Sequence, residues 1–164
     1  MILSRPRPGI SPWHPAALAA TWFGSGLLPK APGTWGSLAA LPFAWGLTRL
    51  GGWPVLLAAS LACFVVGCWA AEIYTRRTGV QDPSEVVIDE VAGQWLVLAA
   101  APADPLFYAI GFALFRVLDI TKPWPARWAD RHVHGGLGVM LDDMLAAAYG
   151  AAVLAVIALW KTLP

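Results

Sequence analysis

Two pairs of adjacent carboxylates, Asp89-Glu90 and Asp142-Asp143, stand where polar stretches meet long apolar runs. Brought to one edge of a helical bundle, they offer the hard oxygen ligands of a divalent cation such as Mg²⁺, which commonly bridges one or two carboxylates to a phosphate. Neighbours on a helix diverge by about 100°, so one member of each pair can meet the ion while the other supports it. The plainer reading is that each pair is a solvated helix-start charge favoured by the positive end of the helix dipole. That reading accounts for one pair more easily than for two.

Groups able to hold a phosphate lie nearby in the pattern. The segment Lys30-Ala31-Pro32-Gly33-Thr34-Trp35-Gly36-Ser37 precedes the first apolar run, where free backbone N–H groups and small residues can cradle an anion. It lacks the spacing of a nucleotide P-loop, and Thr34 or Ser37 serves equally well as a helix cap. Arg116, Asp119 and Lys122 recur every three residues and form a polar strip, either as a phosphate clamp or as snorkelling cations with an Arg116–Asp119 pair. His132 and His134 can donate protons or touch phosphate, although a His-x-His pair is more often unspecific.

The elements that must position these groups are written in the segregation of charge. Every acid except Asp104 falls at Glu72, in 82–90 or in 116–143, while residues 50–71 carry no charge at all. In 164 residues, 58% are apolar and 13% charged, too little polar surface for an ordinary soluble domain. A bilayer core of roughly 30 Å requires about 20 apolar residues in a helix. Apolar segments at about 35–50, 53–71, 88–102, 105–121 and 144–160 predict an all-α, multi-pass transmembrane bundle in one domain, 1–164, with about four to five membrane helices. Several are short enough to be tilted or partly re-entrant. Gly51, Gly52 and Pro54 predict one tight hairpin, and the 101–105 stretch Ala-Pro-Ala-Asp-Pro a second.

With the N-terminus inside, the inner segments hold Arg5, Arg7, Lys30, Arg76, Arg77, Arg116, Lys122, Arg127 and Arg131, and the outer ones only Arg49 and Lys161. The positive-inside rule selects this orientation and puts both acid pairs on the cytoplasmic face. Pro8, Pro12 and Pro15 interrupt any signal-peptide core, so the N-terminus is expected to be retained. Pro123 and Pro125 end the fourth helix. Beyond them Trp124 and Trp128, like Arg127 and Arg131, are spaced for one face of a short interfacial helix, with a solvated loop as the alternative. A net charge of +1 argues against a general nucleic-acid binder. Cys63 and Cys68 lie within an apolar run and fit neither a metal nor a redox spacing.

Three stretches, GSGLLPKAPGTWGSLAALP (24–42), DPSEVVIDEVAGQW (82–95) and FRVLDITKPWPARWADRHVHGGLGVMLDD (115–143), together resemble the phosphatidylglycerophosphatase A family over most of the chain. The resemblance implies a multi-pass, Mg²⁺-dependent lipid phosphatase of a bacterial-type inner membrane. Its reaction would convert phosphatidylglycerophosphate to phosphatidylglycerol and phosphate during phospholipid synthesis. The shared polar positions fall at Lys30, Thr34, Asp82, Asp89, Glu90, Arg116, Asp119, Lys122, Asp142 and Asp143. On this reading Asp89, Glu90, Asp142 and Asp143 are the candidate metal ligands. Lys30, Thr34, Arg116 and Lys122 grip the phosphate, and Asp119, Asp143 and Lys122 do the chemistry, with water or a carboxylate such as Asp119 as nucleophile.

A cysteine phosphoenzyme is excluded, because the positions six after Cys63 and Cys68 hold Trp69 and Tyr74 rather than arginine. A divalent-cation transporter is the rival of a different class. Its acids should lie near the middle of membrane helices rather than at one edge.

Overall fold

A computed structural model describes residues 9–162, which leaves the charges at Arg5 and Arg7 outside the described residues. The elements are α1 (Pro15–Ala20), a 3₁₀ turn (Ser25–Leu27), α2 (Pro32–Thr78), α3 (Ile88–Leu98), α4 (Pro105–Thr121), α5 (Ala126–His132) and α6 (Gly135–Thr162). Among the described residues there is no strand.

Helix α2 is broken at Gly51 and Gly52; Gly52 has φ 70°, in the left-handed region that glycine reaches without strain. Contacts with α3 give the two arms their directions. On the first arm a Cβ added at Gly36 would meet Val87, and Ala40 takes a hydrogen bond from Trp95 Nε1 at 2.9 Å, so this arm runs with α3. On the second arm Ser60 donates to the Ala92 carbonyl at 2.8 Å and Cys63 lies against the Ile88 carbonyl, so this arm runs against it. The glycine pair therefore turns a helical hairpin, as the sequence predicts.

Helix α4 runs back along α3, since Gly111 faces Leu98 and Phe115 faces Gly93. Helix α6 runs with α3, placing Met140 against Gly67 and Leu154 against Gly111. One end of the bundle thus collects the start of α2, the end of its second arm, the start of α3, the end of α4 and the start of α6. The opposite end holds the glycine turn and the α3–α4 connection, with Asp104 capping α4 through the Leu106 and Phe107 amides.

Among the described residues two helices are long and apolar enough to cross a membrane, Pro32–Thr78 and Gly135–Lys161. Their outward faces are apolar: Leu61, Val65, Val66, Val153, Val156 and Leu159 are all exposed. A surface of that kind fits a lipid environment and not water. Two boundaries differ from the expected spans. At 11 residues, α3 stops at Leu98 instead of reaching 102 and rises only about 16 Å, less than a bilayer core. Its apolarity reflects burial, because Ile88, Val91, Ala92, Val97 and Leu98 are enclosed by the other helices. Helix α6 begins at Gly135, well before the expected 144, because the glycines there sit where side chains have no room. A Cβ at Gly136 would run into the Cys68 carbonyl, while the Gly136 amide donates to Glu72 Oε2 at 2.7 Å.

Candidate active site

Asp89 and Glu90 occupy the first turn of α3. Asp142 and Asp143 lie in the third turn of α6, not at its start, so the helix-dipole reading fails for that pair. The antiparallel and parallel helix contacts bring the two pairs together, and one carboxylate oxygen each from Asp89, Glu90 and Asp143 lies within 4.8 Å of the others. Asp89 and Asp143 are only 8% and 4% exposed. Among the described residues Glu90 Oε2 and Asp143 Oδ2 have no hydrogen-bond partner. Asp119 stands beside both Glu90 and Asp143.

Arg116 bridges this cluster to α2. Its Nη1 lies 2.8 Å from Asp119 Oδ2 and 3.9 Å from Glu90 Oε1, and donates to Ser37 Oγ at 3.4 Å. The Ser37 hydroxyl in turn donates to the Gly33 carbonyl at 2.9 Å. Ser37 thus does more than cap a helix, since it holds the arginine against the α2 start. Gly33 is required there, because a Cβ would strike Glu90 Oε1 and sit 3.2 Å from Arg116 Nη1.

Lys122 closes the far side. It ends α4 at φ 43°, a conformation uncommon for lysine, and its ammonium reaches Asp130 Oδ1 at 2.6 Å and also Asp142 Oδ2. Burial works to lower its pKa, but hydrogen bonds to Asp130 and Asp142 outweigh that and hold it above the usual lysine range. Lys122 is therefore held as a cation between two carboxylates. Asp142 is the acid of its pair that supports the lysine, leaving Asp143 for the oxygen cluster, as the divergence of helical neighbours requires.

These groups surround a cleft of about 340 Å³. It is lined by Asp82, Asp89, Glu90, Arg116, Asp119, Lys122, Asp130, His134, Asp142 and Asp143, together with Ala31, Pro32 and Gly33. The side chains of Lys30 and Thr34 are not in its wall. Lys30 is exposed, with its backbone at φ 62° just before α2, and this segment meets the cleft at Ala31, Pro32 and Gly33. His132 turns away, its Nδ1 2.8 Å from the Trp128 carbonyl, whereas His134 stands on the rim. Sequence reasoning passed over Asp130. The signal for it was the Pro123 and Pro125 pair, which turns the chain so that α5 returns an acid to Lys122.

Buried Asp89 and Asp143 and half-buried Glu90 gather beside one arginine in the cleft wall, and Glu90 Oε2 and Asp143 Oδ2 are left without a hydrogen-bond partner among the described residues. That donor set fits a hard divalent cation.

A family profile described as Phosphatidylglycerophosphatase A matches residues 18–158. The chain belongs to that family. Within the phosphatidylglycerophosphatase A family it is 43% identical over 145 residues to the Escherichia coli K12 protein of that name, covering 88% of this chain and 82% of the relative. It is 41% identical over 161 residues to the Haemophilus influenzae protein of the same name, covering 98% and 99%. A Bacteroides thetaiotaomicron protein, named provisionally as a phosphatidylinositol-3-phosphatase, is 40% identical over 157 residues, covering 92% and 95%. No solved structure matches.

Proposed function

We propose that this membrane protein hydrolyses the terminal phosphomonoester of phosphatidylglycerophosphate, giving phosphatidylglycerol and inorganic phosphate, with Mg²⁺ as its cation. The observation that carries the reading is the meeting of Asp89, Glu90 and Asp143 in a cleft whose other walls present Arg116 and Lys122. Family membership supplies the substrate, since two relatives at above 40% identity bear the phosphatidylglycerophosphatase A name.

The chain's own groups suit phosphoryl transfer, which needs positioning and neutralisation of charge more than covalent chemistry. Asp89, Glu90 and Asp143 would hold the cation, which supplies a Lewis acid for a phosphoryl oxygen. Arg116, fixed by Asp119 and Ser37, and Lys122, fixed by Asp130 and Asp142, receive the remaining phosphate oxygens from opposite sides. Both cations are aimed before substrate arrives, so little reorganisation opposes the reaction. As the new oxygen–phosphorus bond forms, the attacking water loses its proton to the Asp119–Asp143 carboxylates. The bond from phosphorus to the glycerol oxygen breaks as that oxygen takes a proton from solvent or from His134, which lines the cleft.

The arrangement in the membrane follows the same geometry. Both arms of α2, α4 and α6 would cross, with α3 enclosed among them. The charged end would face the cytoplasm, because Arg76, Arg77, Arg116, Lys122, Arg127 and Arg131 gather there and Arg49 and Lys161 lie towards the other end. Substrate then arrives from the inner leaflet with its tails still in lipid. Phosphate release from phosphatidylglycerophosphate in neutral detergent, with Mg²⁺ and then with excess chelator, tests the reading. Cation flux in liposomes without hydrolysis would favour a transporter.

A further inference from the structure

Outside the acidic cleft, the segment joining α4 to α6 carries features the hydrolysis does not use. Trp124 and Trp128 are 76% and 51% exposed, and beside them a second cavity of about 290 Å³ is lined by Lys122, Trp124, Arg127, Trp128, Arg131 and His132. Its charged lining residues are all cationic: Lys122, Arg127 and Arg131. Lys122 belongs to the walls of both cavities, so the two adjoin at one residue.

The segment is also held in place. The Arg127 guanidinium donates to the Thr121 carbonyl at 2.7 Å, fixing it across the end of α4 while leaving other N–H groups available. The Trp128 and His132 rings stack with centroids 5.5 Å apart. Tyr149 donates to the Trp124 carbonyl at 2.9 Å, which ties the loop to α6 two turns beyond Asp142. The segment therefore packs against α6 beside the cleft, with Asp130 in the cleft wall and Trp124 and Trp128 exposed. Exposed tryptophans with arginines beside them are suited to the lipid–water boundary.

We infer that Arg127 and Arg131 form a subsite for the internal phosphodiester of the same lipid whose terminal phosphate enters the cleft. This rests on the proposed activity and extends it to the recognition of the second phosphate. The substrate has two phosphates joined by a three-carbon glycerol, and the two cavities joined at Lys122 offer one cationic station for each. Arginine suits the outer station because its planar fork can meet two oxygens of a diester. The tryptophans keep the headgroup at bilayer depth while the acyl chains stay in lipid.

The test compares wild type with Arg127→Gln/Arg131→Gln in neutral detergent micelles, where the substrate is the only anionic lipid. The KM for phosphatidylglycerophosphate should rise about tenfold, the scale of losing charge-assisted contacts at a wet site. Inhibition by phosphatidylglycerol, which has the diester alone, should weaken by a similar factor, while inhibition by inorganic phosphate should not change. An unchanged KM, or a defect seen only in vesicles rich in other anionic lipids, overturns the subsite, the latter by assigning these arginines to the bulk membrane surface. Calorimetric titration with dihexanoylphosphatidylglycerol separates the two readings. Saturable binding lost in the double variant upholds the subsite even if wild type hydrolyses nothing, and equal binding by both proteins refutes it.

Discussion

Asp89 on α3 and Asp143 on α6 bring carboxylate oxygens within 4.8 Å of each other although the whole of α4 and α5 separates them in the chain. Their helices run in the same direction, so both residues come to the same end of the bundle. Removing charge from either should therefore have the same consequence. Asp89→Asn, Glu90→Gln and Asp143→Asn are each expected to lower kcat by about a hundredfold or more, the scale of losing one preorganised electrostatic group. Asp142→Asn should cost less, because it acts through Lys122. Rates measured across a Mg²⁺ titration check this, and equal rates in all four variants would contradict the division of roles.

Metal removal should be visible without turnover. Mg²⁺ is expected to raise the thermal unfolding temperature of the wild-type protein in detergent, since a ligand that binds only the folded state stabilises it. The rise should vanish in Asp143→Asn. A Mg²⁺-independent melting curve for the wild type would count against the oxygen cluster as a cation site.

Gly33 and Gly46 lie on the same arm of α2 but differ in surroundings. A methyl at Gly33 enters the space of Glu90 and Arg116, whereas nothing lies within 4 Å of one at Gly46. Gly33→Ala should abolish most activity while the protein still inserts and folds, and Gly46→Ala should leave rate and stability near wild type. Comparable rates from the two variants would show that the approach of α2 to the site is not needed.

Arg116→Lys keeps the charge but loses the planar guanidinium whose Nη1 meets both Asp119 and Ser37. A drop in kcat of about tenfold to a hundredfold is expected, because an ammonium cannot reproduce a bridging guanidinium. Wild-type kinetics in this variant would mean that charge alone suffices.

Sidedness is tested with single cysteines at Ser84 and His132, both exposed, in a background of Cys63→Ala and Cys68→Ala. An impermeant thiol reagent should label them in inverted vesicles and not in intact cells, with the reverse for a cysteine at Ala103 beside the α3–α4 turn. Labelling of Ser84→Cys or His132→Cys from outside would reverse the proposed orientation.

The helical class, the glycine hairpin and the meeting of the acid pairs were legible because they depend on apolar run length, backbone freedom and where charge is tolerated. Residues 124–132 were legible only in part. Spacing allowed either a helix or a loop, and the structure shows a short helix at Ala126–His132. What escaped the sequence were features that depend on packing. Apolarity cannot distinguish a lipid-facing helix from an enclosed one, so the extent of α3 was overestimated. The glycine-rich 135–138 stretch reads as a loop until Glu72 and Cys68 are seen to press against it. Lys30 and Thr34 carried the polar character of their segment in sequence, yet in the fold Ala31, Pro32 and Gly33 line the cleft. Asp130 and the Ser37–Arg116 contact were hidden because each joins elements far apart in the chain.

Because Asp143 lies on α6, the oxygen cluster cannot exist until α6 has packed beside α3. A nascent chain halted after α5 would hold Asp89, Glu90, Arg116 and Lys122 without the residue that completes them. Completion of the oxygen cluster is thus tied to the docking of α6 on α3, so the packing of these two helices and the assembly of the site are one event.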